Sequence, residues 1–371
     1  MMKHPRARDL GLPFCGTPGP LNALTDVPGV LVGTTTLMTG DGPVVPGKGP
    51  IRTGVTAILP RGHDGTPRPV WAGFHALNGN GEITGTHWIN EAGYFVGPIC
   101  ITNTHSIGAA HHGAVQWMIE TYGDLWRDNH LWAMPVVAET YDGVLNDING
   151  LHVTPAHALD ALRAATGGPV PEGNVGGGTG MICYEFKGGT GTASRQVVID
   201  GQTFHVGCLV QANHGRRDGL SVLGVPVGRH LTKDRMPTDK EQGSIIVVLA
   251  TDLPLSSSQL RRLAKRGAIG IGRTGTPGGN SSGDIFLAFS VGNVMDLSAF
   301  RPAFGQMQAL NDDCLDPVYE AAVQSVEEAI LNAMIAARDM TTVRPPGLTV
   351  RALPHGELLD VMRRYGHEGA A

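Results

Sequence analysis

Short apolar runs recur along the chain, and each is bounded by glycine, proline or asparagine. This pattern predicts β-strands, because strands are short, favour β-branched residues and need turn residues at their ends. The predicted strands cover residues 54–59, 99–102, 181–186, 203–210, 244–250 and 285–291.

Apolar residues at three- and four-residue spacing predict a smaller number of helices. The strongest begins at Asp316-Pro317, where an aspartate can cap the helix and proline fits its first turn. Because strands and helices do not alternate regularly, the pattern favours an α+β layered fold over a doubly wound parallel sheet. The other predicted helices begin at Thr154-Pro155 and near Ser256, and one covers residues 109–122.

Composition favours one compact domain covering residues 1–371, since no charged or low-complexity linker divides the chain. Charged residues make up only 16% of the sequence, below the roughly 25% of typical globular proteins. So little charged surface favours a homo-oligomer with buried interfaces. A tightly wound monomer rich in turns is the alternative.

The net charge of -5 argues against a nucleic-acid partner, because binding to phosphates needs a basic face. The one dense basic cluster, residues 261–266, is interpreted as a solvated helix face. Five cysteines without CxxC spacing indicate neither a disulfide framework nor a zinc site. Because no apolar run reaches 18 residues and no signal-peptide pattern follows the basic N-terminus, we expect a soluble, cytoplasmic protein.

Three motifs are interpreted as misleading. Gly270, Gly272 and Gly275 fit G-x-G-x-x-G but do not open a helix after a strand, so a loop is predicted there instead of a dinucleotide site. Ser281 fits G-x-S-x-G, but it precedes a predicted strand, the reverse of an esterase nucleophile elbow. The adjacent His111 and His112 would diverge on a helix, and we expect no metal.

Gly243-Ser244 stands at the leading edge of the predicted strand 244–250. Glycine permits strained backbone conformations, which would let the serine hydroxyl attack the preceding carbonyl in an N-to-O acyl shift. Hydrolysis of that ester would free an α-amine with a pKa of roughly 7.7–8.0, able to accept the proton of its own hydroxyl. On spacing alone, a plain strand start is the alternative.

Ordered blocks along the chain resemble the L-aminopeptidase/D-esterase-amidase family, which includes the β-peptidyl aminopeptidases. The matching blocks span residues 25–290, which is most of the chain, and GSIIVVLATDLPL from Gly243 matches the family's cleavage junction. The other blocks are TDVPGVLVGTTTL, RTGVTAILPRG, ALNGNGEITG, ETYDGVLND, GNVGGGTGM, LVQANHG and SSGDIFLAFS.

The resemblance implies a precursor cut at Gly243-Ser244 into an α-chain of residues 1–243 and a β-chain of 244–371. These chains would remain associated in a four-layer αββα sandwich, the architecture also found in ornithine acetyltransferases. Tetramers and related assemblies are typical of the family. No cofactor is implied.

The resemblance also assigns residues to the site around Ser244. Ser282 and Asp284 match the family positions whose side chains hydrogen-bond towards the nucleophile and its amine. Their i, i+2 spacing would place both side chains on the same side of an extended segment. Strand capping is the alternative for this pair. Asn213 and Tyr141 match the positions that stabilise the oxyanion, although Asn213 also suits a plain turn.

Glu139 matches the family position that faces the substrate's free amine. A carboxylate there would pair with an ammonium group and reject internal peptide segments. Solvation at the surface is the alternative for this residue.

These features predict an autoprocessed serine aminopeptidase or amidase that removes the N-terminal residue of short peptides, amides or esters carrying a free amine. Two alternatives stay open. An acyltransferase of the ornithine-acetyltransferase kind has the same architecture, but it cuts before threonine, whereas this chain has Ser244. An uncleaved binding or scaffold protein with an inactive site is the other.

Overall fold

Two β-sheets form the middle of the protein, whose computed structural model describes residues 5–129, 131–237, 243–297 and 300–367. The strands are β1 (Leu31–Thr39), β2 (Ile51–Leu59), β3 (Val70–Ala76), β4 (Tyr94–Phe95), β5 (Ile99–Asn103), β6 (Val136–Thr140), β7 (Ile182–Cys183), β8 (Phe186–Lys187), β9 (Gly189–Ile199), β10 (Gln202–Asn213), β11 (Ser244–Thr251), β12 (Gly283–Ser290), β13 (Met340–Val343) and β14 (Pro346–Val350). The α-helices are α1 (Thr86–Ala92), α2 (Ile107–Thr121), α3 (Gly123–Asn129), α4 (Pro155–Arg163), α5 (Val227–His230), α6 (Ser257–Ala264), α7 (Arg266–Arg273), α8 (Asp316–Ile335) and α9 (His355–Arg364).

One sheet has four strands in the order β1-β2-β5-β6, and the other has six in the order β4-β3-β12-β11-β10-β9. The pairs β5 with β6 and β11 with β12 are parallel. Two further pairs, β7 with β8 and β13 with β14, form separate antiparallel hairpins. Strands β11 and β12 therefore lie in the middle of the larger sheet.

Alternating side chains build three apolar layers. Ile101 of β5 and Ile246 of β11 belong to the cluster between the two sheets. Helices α2 and α4 cover the outer face of the smaller sheet, and α6, α7 and α8 cover that of the larger sheet, where Val247 packs. The protein is thus a four-layer αββα sandwich, as the family resemblance implied.

All four predicted helices form, as α2, α4, α6 and α8. Ser256 caps α6, because its side chain accepts a hydrogen bond from the backbone N–H of Gln259 at 3.3 Å.

Two local predictions were wrong. Residues 181–186 do not form one strand, since Tyr184 and Glu185 have φ of 52° and 61° and turn the chain between β7 and β8. The glycines Gly270 and Gly272, predicted to lie in a loop, belong to α7. A Cβ at Gly270 would lie 2.5 Å from Cβ of Val326 in α8, so that glycine allows two helices to approach closely.

Strand β9 was not predicted, because glycine, serine and an arginine interrupt its apolar pattern. Its Arg195 is only 1% exposed and forms an ion pair with the equally buried Glu328 of α8, with 2.7 Å between Nη2 and Oε2. Arg8 and Asn22 near the N-terminus also donate to Glu328. A buried charge is tolerated here because its partners surround it.

In the described ranges, no helix is both long and apolar enough to cross a membrane. All five cysteines are free thiols.

Candidate active site

Ser244 is the first residue of β11 and is only 4% exposed. The strand register places it opposite Asn213, the last residue of β10, and opposite Gly283, the first residue of β12. The serine therefore lies where the ends of three neighbouring strands meet, at one end of the larger sheet.

Gly243 is held tightly between this serine and the end of β10. A Cβ at this position would lie 2.1 Å from the carbonyl oxygen of Asn213 and 2.9 Å from Cα of His214. Its φ lies outside the left-handed region, so glycine is needed for close approach and not for a strained backbone, contrary to our first interpretation. The Gly243 carbonyl accepts a hydrogen bond from the backbone N–H of Gly283 at 3.2 Å.

Asn213 shares a face of the sheet with Ser244, because the two residues are directly paired. Its Nδ2 donates to the main-chain carbonyl of Tyr141 at 3.0 Å, and its Oδ1 accepts from the N–H of Ile182 at 2.7 Å. These two bonds fix which end of the amide faces the smaller sheet. One N–H of the amide is used in this way, and the second can serve another acceptor.

Tyr141 is 43% exposed. It lines a cavity of about 260 Å³ together with Asn213 and Gly243. The contact between Tyr141 and Asn213 runs through the tyrosine main chain, while the phenol lies against Gly143, where an added Cβ would be 2.3 Å from its oxygen.

Ser282 and Asp284 form a buried pair at the start of β12. Ser282 Oγ donates to Asp284 Oδ1 at 2.6 Å, and Asn78 donates to Asp284 Oδ2 at 3.1 Å. Residues two positions apart on a strand share a face of the sheet. Asp284 therefore lies on the same face as Phe286, which packs against the outer helices, whereas Ser244 lies on the same face as Ile246, between the two sheets. The structure therefore brings the pair close to the main chain of Ser244, on the other face from its hydroxyl.

Glu139 of β6 is only 4% exposed, which excludes the surface-solvated alternative. Its carboxylate accepts hydrogen bonds from the N–H of Glu82 at 2.9 Å and from the hydroxyl of Thr104. Burial raises the pKa of Glu139 above its ordinary value, and these two hydrogen bonds oppose that rise. A Cβ on Gly81 would lie 3.2 Å from Glu139 Oε1 and 3.4 Å from Cα of Gly283, so the carboxylate lies on the β12 side of Ser244.

Lys187 is a polar group near the site that sequence reasoning missed. It is fully buried, and its Nζ donates to the carbonyl oxygens of Met181 at 2.9 Å and Gly188 at 3.0 Å, with Gly178 at 3.5 Å. Burial lowers the pKa of Lys187 to about 7. Met181 directly precedes Ile182, whose N–H orients the amide of Asn213. The bond from the Lys187 ammonium to the Met181 carbonyl therefore helps to hold that N–H in place. A lysine ending a short apolar run was the only signal in the sequence.

Asn78 and Thr104 were also missed as partners of site carboxylates. Asn78 stood within the block ALNGNGEITG, where two asparagines alternate with glycines. That block was used only as a match to the family, and the contact of Asn78 with β12 depends on the pairing of β3 with β12.

The alternative motifs do not contribute side chains to this constellation, although Ser281 directly precedes Ser282. Ser281 is exposed in the turn before β12. His111 and His112 lie next to each other on α2. Within the described ranges, no group of three or more His, Cys, Asp or Glu side chains could hold a metal ion.

Comparison with known proteins places this arrangement in a family. The profile of Peptidase family S58 matches residues 22–345. The chain is 50% identical to a β-peptidyl aminopeptidase of Sphingosinicella microcystinivorans, over 99% of this chain and 94% of that protein. It is 43% identical to a β-peptidyl aminopeptidase of Sphingosinicella xenopeptidilytica, over 97% of this chain and 91% of that protein.

Solved structures agree. The L-aminopeptidase D-Ala-esterase/amidase of Ochrobactrum anthropi, described as a prototype of the serine aminopeptidases and a variant of the Ntn hydrolase fold, superposes with a TM-score of 0.93 at 57% identity, covering 98% of this chain and 99% of that one. A β-aminopeptidase of a Burkholderia species superposes with a TM-score of 0.88 at 46% identity and the same coverage. The chain therefore belongs to Peptidase family S58 and is an aminopeptidase with the fold of the Ntn hydrolases.

Proposed function

We propose that the chain cleaves itself between Gly243 and Ser244 and then uses Ser244 as both nucleophile and base. The observation that carries this proposal is the packing of Gly243 against the end of β10, with its carbonyl oxygen bonded to the N–H of Gly283 at 3.2 Å. That N–H would stabilise the negative charge that develops on this oxygen when the serine hydroxyl attacks.

After cleavage, the α-amine of Ser244 would take the proton from the hydroxyl as it attacks a substrate carbonyl, and return it to the leaving amine. Water would then hydrolyse the acyl-enzyme. Ser282 and Asp284 lie beside the main chain of Ser244, so we assign them to holding the new amine, which is itself a main-chain group.

The oxyanion of the substrate would be stabilised by the second N–H of Asn213 and by the hydroxyl of Tyr141. Asn213 shares the face of Ser244, and its amide is already oriented by Ile182. Removing one such donor typically lowers the rate by about 10²–10³-fold.

Glu139 would bind the free amine of the substrate, on the β12 side of Ser244. A buried carboxylate gains most from an ammonium partner, because water does not compete for it. We propose short peptides and amides with a free amine as substrates. The names of the relatives support β-aminoacyl and D-alanyl groups among them.

The decisive experiment replaces Ser244 by alanine and follows both activities. Wild type should separate into two fragments on denaturing electrophoresis, with an N-terminus at Ser244, and should hydrolyse an aminoacyl p-nitroanilide. Ser244→Ala should remain a single 39.0 kDa chain without activity. Ser281→Ala is the matched control, because that serine fits the alternative G-x-S-x-G motif and its side chain is exposed, and it should behave as wild type. An intact wild type, or an active Ser244→Ala, would refute the proposal.

We also propose a homo-oligomer, a tetramer or larger. Large apolar side chains including Trp132, Met134 and Phe300 are exposed around an apolar cavity of about 330 Å³, and exposed apolar patches mark interaction surfaces. Light scattering coupled to size exclusion would measure the mass, and a monomer would contradict this part.

A cytoplasmic location completes the proposal. Its support is the absence of disulfides among the five thiols, which suits a reducing compartment. Fractionation of cells that express the protein would test it, and recovery of the protein outside the cytoplasm would contradict it.

A further inference from the structure

The cavity beside Gly243 extends the site away from Glu139. It touches Asn213, Tyr141 and Gly243 on the β10 side of Ser244, whereas Glu139 lies on the β12 side next to Gly81. A substrate whose amine reaches Glu139 and whose carbonyl reaches Ser244 therefore has its leaving group directed into this cavity. This step rests on the proposed function.

Two arginine residues line the same cavity, Arg216 and Arg344. Neither forms an ion pair with a carboxylate in the described ranges, unlike the nearby Arg235 and Arg351, which bind Asp218 and Asp339. Arg344 is half-buried, so its charge is less screened by water than that of a fully exposed arginine.

The single carboxylate in the cavity wall, Glu185, is already engaged. Its two oxygens accept hydrogen bonds from the N–H of Arg217 at 3.0 Å and the N–H of Met236 at 3.3 Å. Its charge also faces the buried Arg217 guanidinium. The positive charge of Arg344 is therefore left for a ligand, whereas that of Arg216 also faces Asp218.

The backbone of Arg344 is firmly anchored. The N–H groups of Val343 and Arg344 both donate to the carbonyl oxygen of Val144, at 2.9 and 3.2 Å. Met340 and Val350 of the same hairpin pack on Leu145 in a small apolar cluster. The hairpin β13–β14 thus brings Arg344 to the cavity from the C-terminal part of the chain.

The volume of about 260 Å³ lies just below the range of roughly 300–1,000 Å³ usual for pockets of drug-sized ligands, and it suits a single amino-acid residue. Apolar side chains of Val144, Ile182 and Met236 would contact that residue. We propose that this cavity binds the leaving residue of a dipeptide and that Arg344, assisted by Arg216, binds its terminal carboxylate. A guanidinium matches a carboxylate with two parallel hydrogen bonds.

The test compares a dipeptide with its C-terminal carboxamide, since the two differ only in that carboxylate. Alanine and alaninamide would serve as leaving residues, joined to whichever of L-alanyl, D-alanyl and β-alanyl is hydrolysed fastest as a p-nitroanilide. Wild type should favour the free acid by about 10- to 100-fold in kcat/KM, mainly through KM, as expected for a hydrogen bond between charged groups.

Arg344→Gln should bring the ratio of the two kcat/KM values to about one, and Arg216→Gln should lower it less. Arg364→Gln, at the exposed end of α9, is the matched control and should keep the wild-type ratio. A wild type indifferent to the carboxylate, or an Arg344→Gln enzyme that slows both substrates equally, would refute the carboxylate site alone. Failure of wild type to hydrolyse either substrate would refute the aminopeptidase reaction, and this site with it.

Discussion

Replacing Gly243 by alanine should nearly stop self-cleavage while leaving Ser244 in place. The added Cβ would lie 2.1 Å from the Asn213 carbonyl oxygen and 2.9 Å from Cα of His214. Both neighbours are main-chain atoms, one in the last residue of β10 and one in the residue that follows it. Because Asn213 is paired with β11, these atoms cannot rotate away as a flexible side chain would. Residue 243 has to move instead.

The size of the effect follows from that movement. Real Cβ atoms do not approach other atoms closer than 3.0 Å, so relieving the clash needs a shift of about 1 Å, and a misplacement of this size can slow a reaction about 100-fold. The same shift would weaken the bond from Gly283 N–H to the Gly243 carbonyl, now 3.2 Å long. Strain of this kind typically lowers the free energy of unfolding by about 1–3 kcal/mol.

The assay follows conversion of the 39.0 kDa chain to two fragments by intact mass and denaturing electrophoresis over time. Gly272→Ala is the matched control, because a Cβ there meets nothing within 4 Å, and it should be processed like wild type. If Gly243→Ala were cleaved at the wild-type rate, the steric argument would be wrong even though the cleavage itself stood.

Three further substitutions test other contacts. Glu139→Gln should raise KM at neutral pH, and in wild type KM should rise as pH falls through the raised pKa of Glu139, because the protonated carboxyl no longer attracts an ammonium; a KM independent of pH would contradict this. Lys187→Met should lower kcat by up to about 10²-fold with little change in KM, since Asn213 loses its orientation and with it an oxyanion donor; steady-state kinetics with an unaltered kcat would exclude that role. Glu328→Gln should lower the free energy of unfolding by about 3–5 kcal/mol, because Arg195 is left buried without its charged partner. Denaturant titration would measure this loss. A loss below about 1 kcal/mol, the value typical of exposed ion pairs, would contradict the prediction.

Secondary structure was predictable from the sequence wherever local residues alone determine the element. Helix α8 begins at Asp316 with Pro317 in its first turn, as predicted, and no distant contact is needed to explain this start. The predicted cap was wrong, because Leu315 is the N-cap residue and Asp316 already lies inside the helix. Strand β9 is different, because its Arg195 is buried only through a partner that lies far along the chain in α8. Likewise Gly270 looked like a loop residue, whereas it provides the close approach of α7 to α8.

The candidate site divides in the same way. The sequence indicated Ser244 and Asn213 as residues at strand ends, and their direct pairing confirms that they meet. It could not indicate that Lys187 fixes the turn orienting Asn213, because that contact depends on how the β7–β8 hairpin folds against β10. The resemblance assigned Glu139 to the free amine of the substrate, and only the structure shows that its carboxylate is buried.

The central position of β11 and β12 has a thermodynamic consequence for a chain cut before Ser244. Both strands would then belong to the shorter fragment, yet they lie between β10 and β3 of the longer one. The two fragments would share one hydrophobic core, and neither could bury its sheet edges alone. Unfolding would become dissociation of a heterodimer, so the apparent stability, and the yield on refolding, would depend on protein concentration. An intact precursor, in contrast, would fold as a unimolecular event, so we expect folding to precede any cut.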